Sequence, residues 1–387
     1  MISQLELAIR SEIAAHGPMP FARFMELALY HPQWGYYTAP NAPERIGRRG
    51  DFYTNVSVGA LFGGLLTMQF AEMWEAMGKP ASFTLLELGA HRGQLAADVR
   101  VWAARERPDF AAALCYEARD YNGELPTVAA VSDRRNHTKQ PAVRDRRYSS
   151  QPHEQAGDTI GPGITGCIFS NELVDALPVH LVTRRNGEWL ELFVTEKNGR
   201  LAFAPGPFSN DALRKEVSRL PLPDSDGFVT EVHLEASRWI ERVARSLRRG
   251  FVMTIDYGYS AGDYYAPHRK AGTLLCYHQH RSNNDPLVRV GEQDITAHVN
   301  FTALAGRGAA SGLPLLGFCD QSRFVAGLME KAGTDFLARL APKAAAQLKT
   351  LLHPELMGQT FKVLAQHRGM EAAQLSGLKF ARKDALA

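Results

Sequence analysis

The stretch from Phe83 to Val99 restricts the fold of this chain more than any other. Phe83-Thr84-Leu85-Leu86-Glu87-Leu88 is an apolar run broken only by Thr84 and Glu87, the pattern of a buried strand. Gly89 and Gly93 bracket a tight turn, and Leu95, Val99 and Trp102 then recur at helical spacing. Such a unit offers backbone N–H groups and the positive end of a helix to a ligand. Glycines without Cβ atoms let that ligand approach closely. Glu87, at the end of the strand, is placed to receive a cationic or hydroxyl-bearing part of it. The spacing lacks one glycine of the dinucleotide fingerprint and has no Lys-Ser/Thr pair for a P-loop. An ordinary strand-to-helix turn has the same look, so ligand binding needs support from elsewhere in the chain.

Composition removes several classes. A chain of 387 residues can bury a large core in one or two domains. A formal charge of +3 is too small to argue for nucleic acid or an anionic membrane. Cys115, Cys167, Cys276 and Cys319 are dispersed, without a Cys-x-x-Cys, which suits a reducing compartment and points away from a disulfide scaffold or zinc ribbon. Met1 to Ala14 carries Glu6 and Glu12 among apolar residues, an amphipathic helix rather than a targeting peptide, so a cytoplasmic location is expected. No apolar run is long enough for membrane insertion. His278-Gln279-His280 has no cysteine or carboxylate cluster at metal-ligand spacing, so no metal is expected.

Along the chain, two helices are expected before residue 30, broken at Gly17-Pro18-Met19-Pro20. The aromatic turn His31–Tyr37 leads to Gly50-Asp51-Phe52-Tyr53-Thr54, whose polar and aromatic mixture reads as a lid. Ala113-Leu114-Cys115-Tyr116-Glu117 is a second strand with an acidic end, where a carboxylate can accept two ribose hydroxyls. From 118 to 163 the apolar periodicity fails just where a helix, a strand and a helix are due. A disordered insert or a local reading-frame error would each explain this; interleaved acids argue against a nucleic-acid arm. Gly166–Ser170 is a buried strand opening into Asn171-Glu172, which would share a crevice with Gly89. Strands with turns at Asn186-Gly187 and Asn198-Gly199 follow. Val232 to Leu247 is helical, Gly250–Tyr259 is a strand ending at Asp256, and 302–350 reads as mostly helical. Phe361-Lys362-Val363-Leu364 could close the sheet.

With these segments in order, the chain resembles the MidA-like family of S-adenosylmethionine-dependent methyltransferases, which includes a mitochondrial complex I assembly factor that methylates an arginine. The resemblance rests on Gly50–Thr54, Ser170-Asn171-Glu172-Leu173, Ile255-Asp256-Tyr257-Gly258 and Gln293–Val299. It implies an α/β fold: a Rossmann-like, seven-stranded class I methyltransferase sheet with an N-terminal helical lid and an inserted α/β segment. The expected division is a lid region at 1–80, a cofactor core at 81–260 with the insertion at 181–230, and an acceptor-side region at 261–387. The cofactor would be S-adenosyl-L-methionine, held by Gly50, Asp51, Phe52, Thr54, Glu87, Gly89, Gly93, Asp98 and Glu117. The family turn reads Gly-Pro-Gly-Arg-Gly; here His91 replaces its middle glycine.

A sulfonium methyl is already activated, so such an enzyme must align the acceptor and strip it of water. For an arginine acceptor, carboxylates that grip the guanidinium orient its nitrogen. Glu172 is the first candidate for that role and Asn171 its neighbour, with Asp256 and His298 in second place. Three functions fit: a protein arginine methyltransferase acting on a protein such as a respiratory-complex subunit, a small-molecule methyltransferase, or an assembly factor with weakened cofactor binding.

Overall fold

The computed structural model describes residues 2–40, 42, 45, 50–51, 54–120, 123–124, 163–371, 373–382 and 384–386. Helix α1 (Gln4–His16) is capped by the Ser3 hydroxyl, which accepts from the Glu6 N–H, and buries Leu5, Ile9 and Ile13 along one face. It stops at Gly17, whose φ of +87° no helix can carry. Helix α2 (Phe21–Tyr30) buries most of its apolar residues. A four-residue helix, α3 (Asn55–Val58), and the long α4 (Ala60–Ala76) lead into the sheet.

The central sheet contains β1 (Phe83–Leu88), β2 (Leu114–Asp120), β3 (Ile164–Asn171), β8 (Leu247–Tyr259), β12 (Leu315–Asp320) and β13 (Phe361–Arg368). Their order is β12-β13-β8-β3-β1-β2. β2, β1, β3 and β8 are parallel, and β13 runs antiparallel between β8 and β12. This is the order of a class I methyltransferase sheet. The strand missing from it is due within 118–163, and the disorder or frame error expected there lies outside the described residues, apart from 118–120, 123–124 and 163.

One face of the sheet packs against α4 and α5 (Gln94–Glu106) through Phe70, Trp74, Leu95 and Val99. The other packs against α6 (Leu234–Ser246) and α7 (Phe301–Ala310) through Trp239, Ile240, Val243 and Leu304. Three central strands pair side by side at a point that admits no side chain, because Gly166 and Gly250 have φ of 147 and 128°. A Cβ on Gly166 would lie 2.0 Å from the Thr84 carbonyl oxygen, and one on Gly250 would lie 1.9 Å from that of Gly166.

The region expected to be mostly helical, 302–350, also contains β12. Leu315-Leu316-Gly317-Phe318-Cys319 is a short apolar run that periodicity cannot distinguish from a buried helical turn. Pairing with β13 decides the matter.

The insertion forms a second sheet of β4 (His180–Arg185), β5 (Glu188–Lys197), β6 (Arg200–Gly206) and β7 (Val229–Val232). Asn186-Gly187 and Asn198-Gly199 make its hairpins, all with positive φ as two-residue turns require. Met19 and Pro20 pair with Val194 and Phe193 of β5, and α1 and α2 bury their apolar faces against this unit. A smaller sheet, β10-β9-β11, combines β9 (Leu275–His278), β10 (Arg281–Asn283) and β11 (Asp294–Thr296). Among the described residues, no helix is long and apolar enough to cross a membrane.

Candidate active site

β1 delivers Glu87 to the top of the sheet, where it is buried and accepts a 2.7 Å bond from the Tyr116 hydroxyl of β2. The turn that follows is held by the carbonyl of Arg119, which accepts from the Gly89 and Ala90 N–H groups at 2.8 and 3.2 Å. Gly89, His91 and Gly93 all have positive φ, at 78, 44 and 69°. His91 therefore occupies a backbone conformation that favours glycine. Gly93 is the N-cap of α5, so the turn runs directly into the helix's positive end. Glu117 is half-exposed in the middle of β2, which runs on to Asp120 instead of ending at this acid, and lies beside Arg119 at 3.0 Å. A buried carboxylate, a glycine turn at a helix N-terminus and a reachable second carboxylate suit a ligand with an ammonium group and a ribose. Asp98 stands a turn into α5, accepts from the Gln94 amide at 3.0 Å and packs by its Cβ near Gly63 of α4.

Directly after β3, Glu172 has φ +53°, a left-handed backbone that a non-glycine residue adopts only under constraint. Its Oε1 accepts from the Asn55 N–H and the Asn171 amide, both at 2.8 Å, and its Oε2 from the Tyr257 hydroxyl at 2.9 Å. Burial pushes the Glu172 carboxyl up to about 7, although all three bonds favour the charged form. Leu173, the next residue, packs against the Gly89 position, so Glu172 directly adjoins the cofactor turn. The described ends of the Gly50–Thr54 stretch are both anchored. Thr54 caps α3, whose first N–H is the Asn55 donor to Glu172. Asp51 accepts from the Tyr36 hydroxyl (2.8 Å) and the Gln279 N–H (2.6 Å), which fixes the β9–β10 hairpin. Asp51 thus packs against that hairpin, with Gly50 buried beside it, and Phe52 lies outside the described residues.

Asp256 and His298 lie close by with their capacity largely used. Asp256 Oδ2 accepts from the Val174 and Asp175 N–H groups at 2.8 and 3.3 Å, and Oδ1 from its neighbour Tyr257 at 2.9 Å. It fixes the turn after Glu172. Burial raises both Asp256 and Asp175, but three N–H donors make Asp256 the member suited to stay ionised. His298 stacks on Tyr259 at 5.1 Å between centroids, and burial lowers it to about 4, so near neutral pH it is an uncharged ring.

Beyond Tyr257 opens a cavity of about 250 Å³, lined among others by Asp51, Asp175, Tyr257, Tyr277, His280 and Asp294. Burial lifts Asp175 well above the usual carboxylate range and Asp294 to about 7. Sequence reading left Asp175, Asp294, Asn55 and Tyr257 without roles. Two signals were available: Asp175 follows Glu172 by three residues in the same polar elbow, and Asp294 lies within the Gln293–Val299 motif.

A class I sheet with a glycine turn at β1 and a carboxylate elbow at β3 defines an S-adenosylmethionine-dependent methyltransferase. The family model of S-adenosyl-L-methionine-dependent methyltransferases matches residues 65–319, and the chain belongs to that family. A COG1565 superfamily member from Burkholderia thailandensis, bound to S-adenosyl-homocysteine, is 31% identical, with a TM-score of 0.81 over 98% of this chain and 96% of that one. The Drosophila melanogaster protein arginine methyltransferase NDUFAF7 homolog, mitochondrial, is 28% identical over 95% of this chain and 85% of its own length. The human protein arginine methyltransferase NDUFAF7, mitochondrial, is 26% identical over 92% and 81% respectively. These mitochondrial relatives overturn the cytoplasmic location expected from the N-terminal helix and the cysteines. An acid-bearing amphipathic helix records how α1 packs against the inserted sheet, which carries no information about compartment.

Proposed function

We propose that this methyltransferase acts on arginine in a protein, with a respiratory-complex subunit as the substrate that the family resemblance implies. The observation that carries the reading is the cavity beyond Glu172: Asp51, Asp175 and Asp294 line it, and no lysine or arginine is among the described residues that do. A cationic side chain suits such a chamber; a neutral or anionic metabolite does not. The relatives named as protein arginine methyltransferases support the same acceptor. Bound S-adenosylmethionine supplies the activated methyl group. Glu87, Gly89, Gly93 and Glu117 hold it, and Thr54 caps the helix whose Asn55 N–H meets Glu172.

Glu172 keeps one lone pair of Oε2 for a guanidinium N–H, since its other bonds go to Asn55, Asn171 and Tyr257. Asn171 fixes that carboxylate, Asp256 fixes the turn carrying it, and uncharged His298 backs the neighbouring aromatic rings. Residues 261–387 frame the acceptor side in this reading, through Tyr277, His280 and Asp294. The test is transfer of labelled methyl from S-adenosylmethionine into arginine-bearing peptides, followed by amino-acid analysis. Label in methylated arginine supports the reading. Label only in small molecules, or in other side chains, refutes it.

A further inference from the structure

Three acidic side chains around one cavity do not by themselves make a site, but one of these has an unmet requirement. Asp294 is fully buried, and its Oδ1 accepts from the Tyr37 hydroxyl at 2.8 Å and from the Ile295 N–H at 2.9 Å. Its Oδ2 is buried with no hydrogen-bond partner among the described residues. A carboxylate oxygen left so is costly unless a donor arrives. Asp175, also buried, lines the same cavity and feels the charges of Asp256, Asp294 and Glu172. Tyr257 and Tyr277 contribute aromatic rings to the wall.

The chemistry of the missing donor follows from what is present. A metal ion is a poor match, because among the described residues no group of three His, Cys, Asp or Glu side chains could hold one. A single water is far smaller than a cavity of about 250 Å³. A planar cation with several N–H donors and a face that stacks on tyrosine meets both demands. We propose that Asp175 and Asp294 are the seat of the acceptor guanidinium, holding the nitrogens away from the reacting one against Tyr257 and Tyr277, while Glu172 meets the edge nearer the cofactor turn. This rests on the protein-arginine reading above and assigns the specificity for arginine to two residues outside the cofactor site.

The test uses the full chain saturated with S-adenosyl-homocysteine, and two probes: Nα-acetylarginine methylamide and its neutral citrulline analogue. Ligand-detected NMR titration should show the arginine probe binding and the citrulline probe not. Asp175→Asn and Asp294→Asn should each weaken the arginine probe by about ten- to a hundredfold, the loss expected for one charge-assisted pair. Retained S-adenosyl-homocysteine affinity shows that the variants are folded. If either fails that control, Ser282→Lys serves instead: Ser282 is exposed and lines the cavity, and an ammonium there should exclude the arginine probe. Wild-type protein that binds both probes equally, or variants that bind like wild type, overturn the seat. Arginine binding lost in the variants, in an enzyme that methylates no arginine peptide, upholds the seat and sinks the functional reading alone.

Discussion

Replacing Glu172 by Gln gives a test whose sign and size both follow from the structure. The amide keeps the shape, and its oxygen can still accept from Asn55 and Asn171. In the wild type, burial moves this carboxyl from 4.5 to about 7. A carboxyl raised on folding contributes stability that is fully present below pH 4.5 and is lost as pH rises through about 7. At about 1.4 kcal/mol per pH unit, the loss is about 3 kcal/mol. Glutamine has no such titration. The stability of Glu172→Gln minus that of the wild type should therefore climb by about 3 kcal/mol between pH 4.5 and pH 8. Asp175, Asp256 and Asp294 are present in both proteins, so the difference reports on Glu172 and on its repulsion of them, which has the same sign. Urea unfolding at half-unit pH steps measures it. The same variant should lose methyl transfer to arginine by about ten- to a hundredfold, with little change in cofactor affinity. A difference flat with pH, or one that falls, would refute the claim that burial outweighs the three hydrogen bonds. Loss of cofactor affinity together with activity would move Glu172 to the cofactor wall.

Three further outcomes are expected. Because His91 already holds its positive φ in the folded chain, at a cost to a non-glycine residue of roughly 1–2 kcal/mol, His91→Gly should raise stability by about 1 kcal/mol in urea unfolding; unchanged or lower stability would show the histidine accommodated without strain. Asp256→Asn has one acceptor oxygen where three N–H groups converge, so urea unfolding should show a loss of about 1–3 kcal/mol; a neutral change would mean that the turn after Glu172 does not depend on it. Gly166→Ala sets a Cβ 2.0 Å from the Thr84 carbonyl oxygen, and should cost about 2 kcal/mol or abolish soluble expression; wild-type stability would contradict the close pairing of β1 and β3 at this position.

The sheet was legible because its strands are buried on both faces and end in polar elbows. Phe83–Leu88, Gly166–Asn171 and Gly250–Tyr259 stand out as continuous apolar runs. β12 was hidden because a five-residue apolar run between helices has no period of its own, and only its ladder with β13 reveals it. Glu172 and Asn171 could be proposed because they lie at the end of a strand in the parallel sheet, where ligand crevices form. Asp294 could not be ranked above other acids. Its importance comes from one oxygen left without a donor, a property of three-dimensional packing with no counterpart in spacing. Asp51 was placed near the right loop, but a loop's end carries no signal for which wall it will bind, and Tyr36 and Gln279 decide that.

The docking of the first two helices has a consequence for how the chain is made. α1 and α2 share a core with Val179, Leu181, Leu192, Val194, Cys276, Val290 and Ile295, all far downstream. During synthesis at about 5–20 residues per second, the apolar face of α2 waits on the order of 15–50 s before the last of these partners is made. Phe21, Phe24, Met25 and Leu29 stay uncovered for that interval. A segment made before its partners is therefore among the last to become native. These two nascent helices are a ready client for a chaperone that holds apolar helices, and slow release from the ribosome prolongs the exposure.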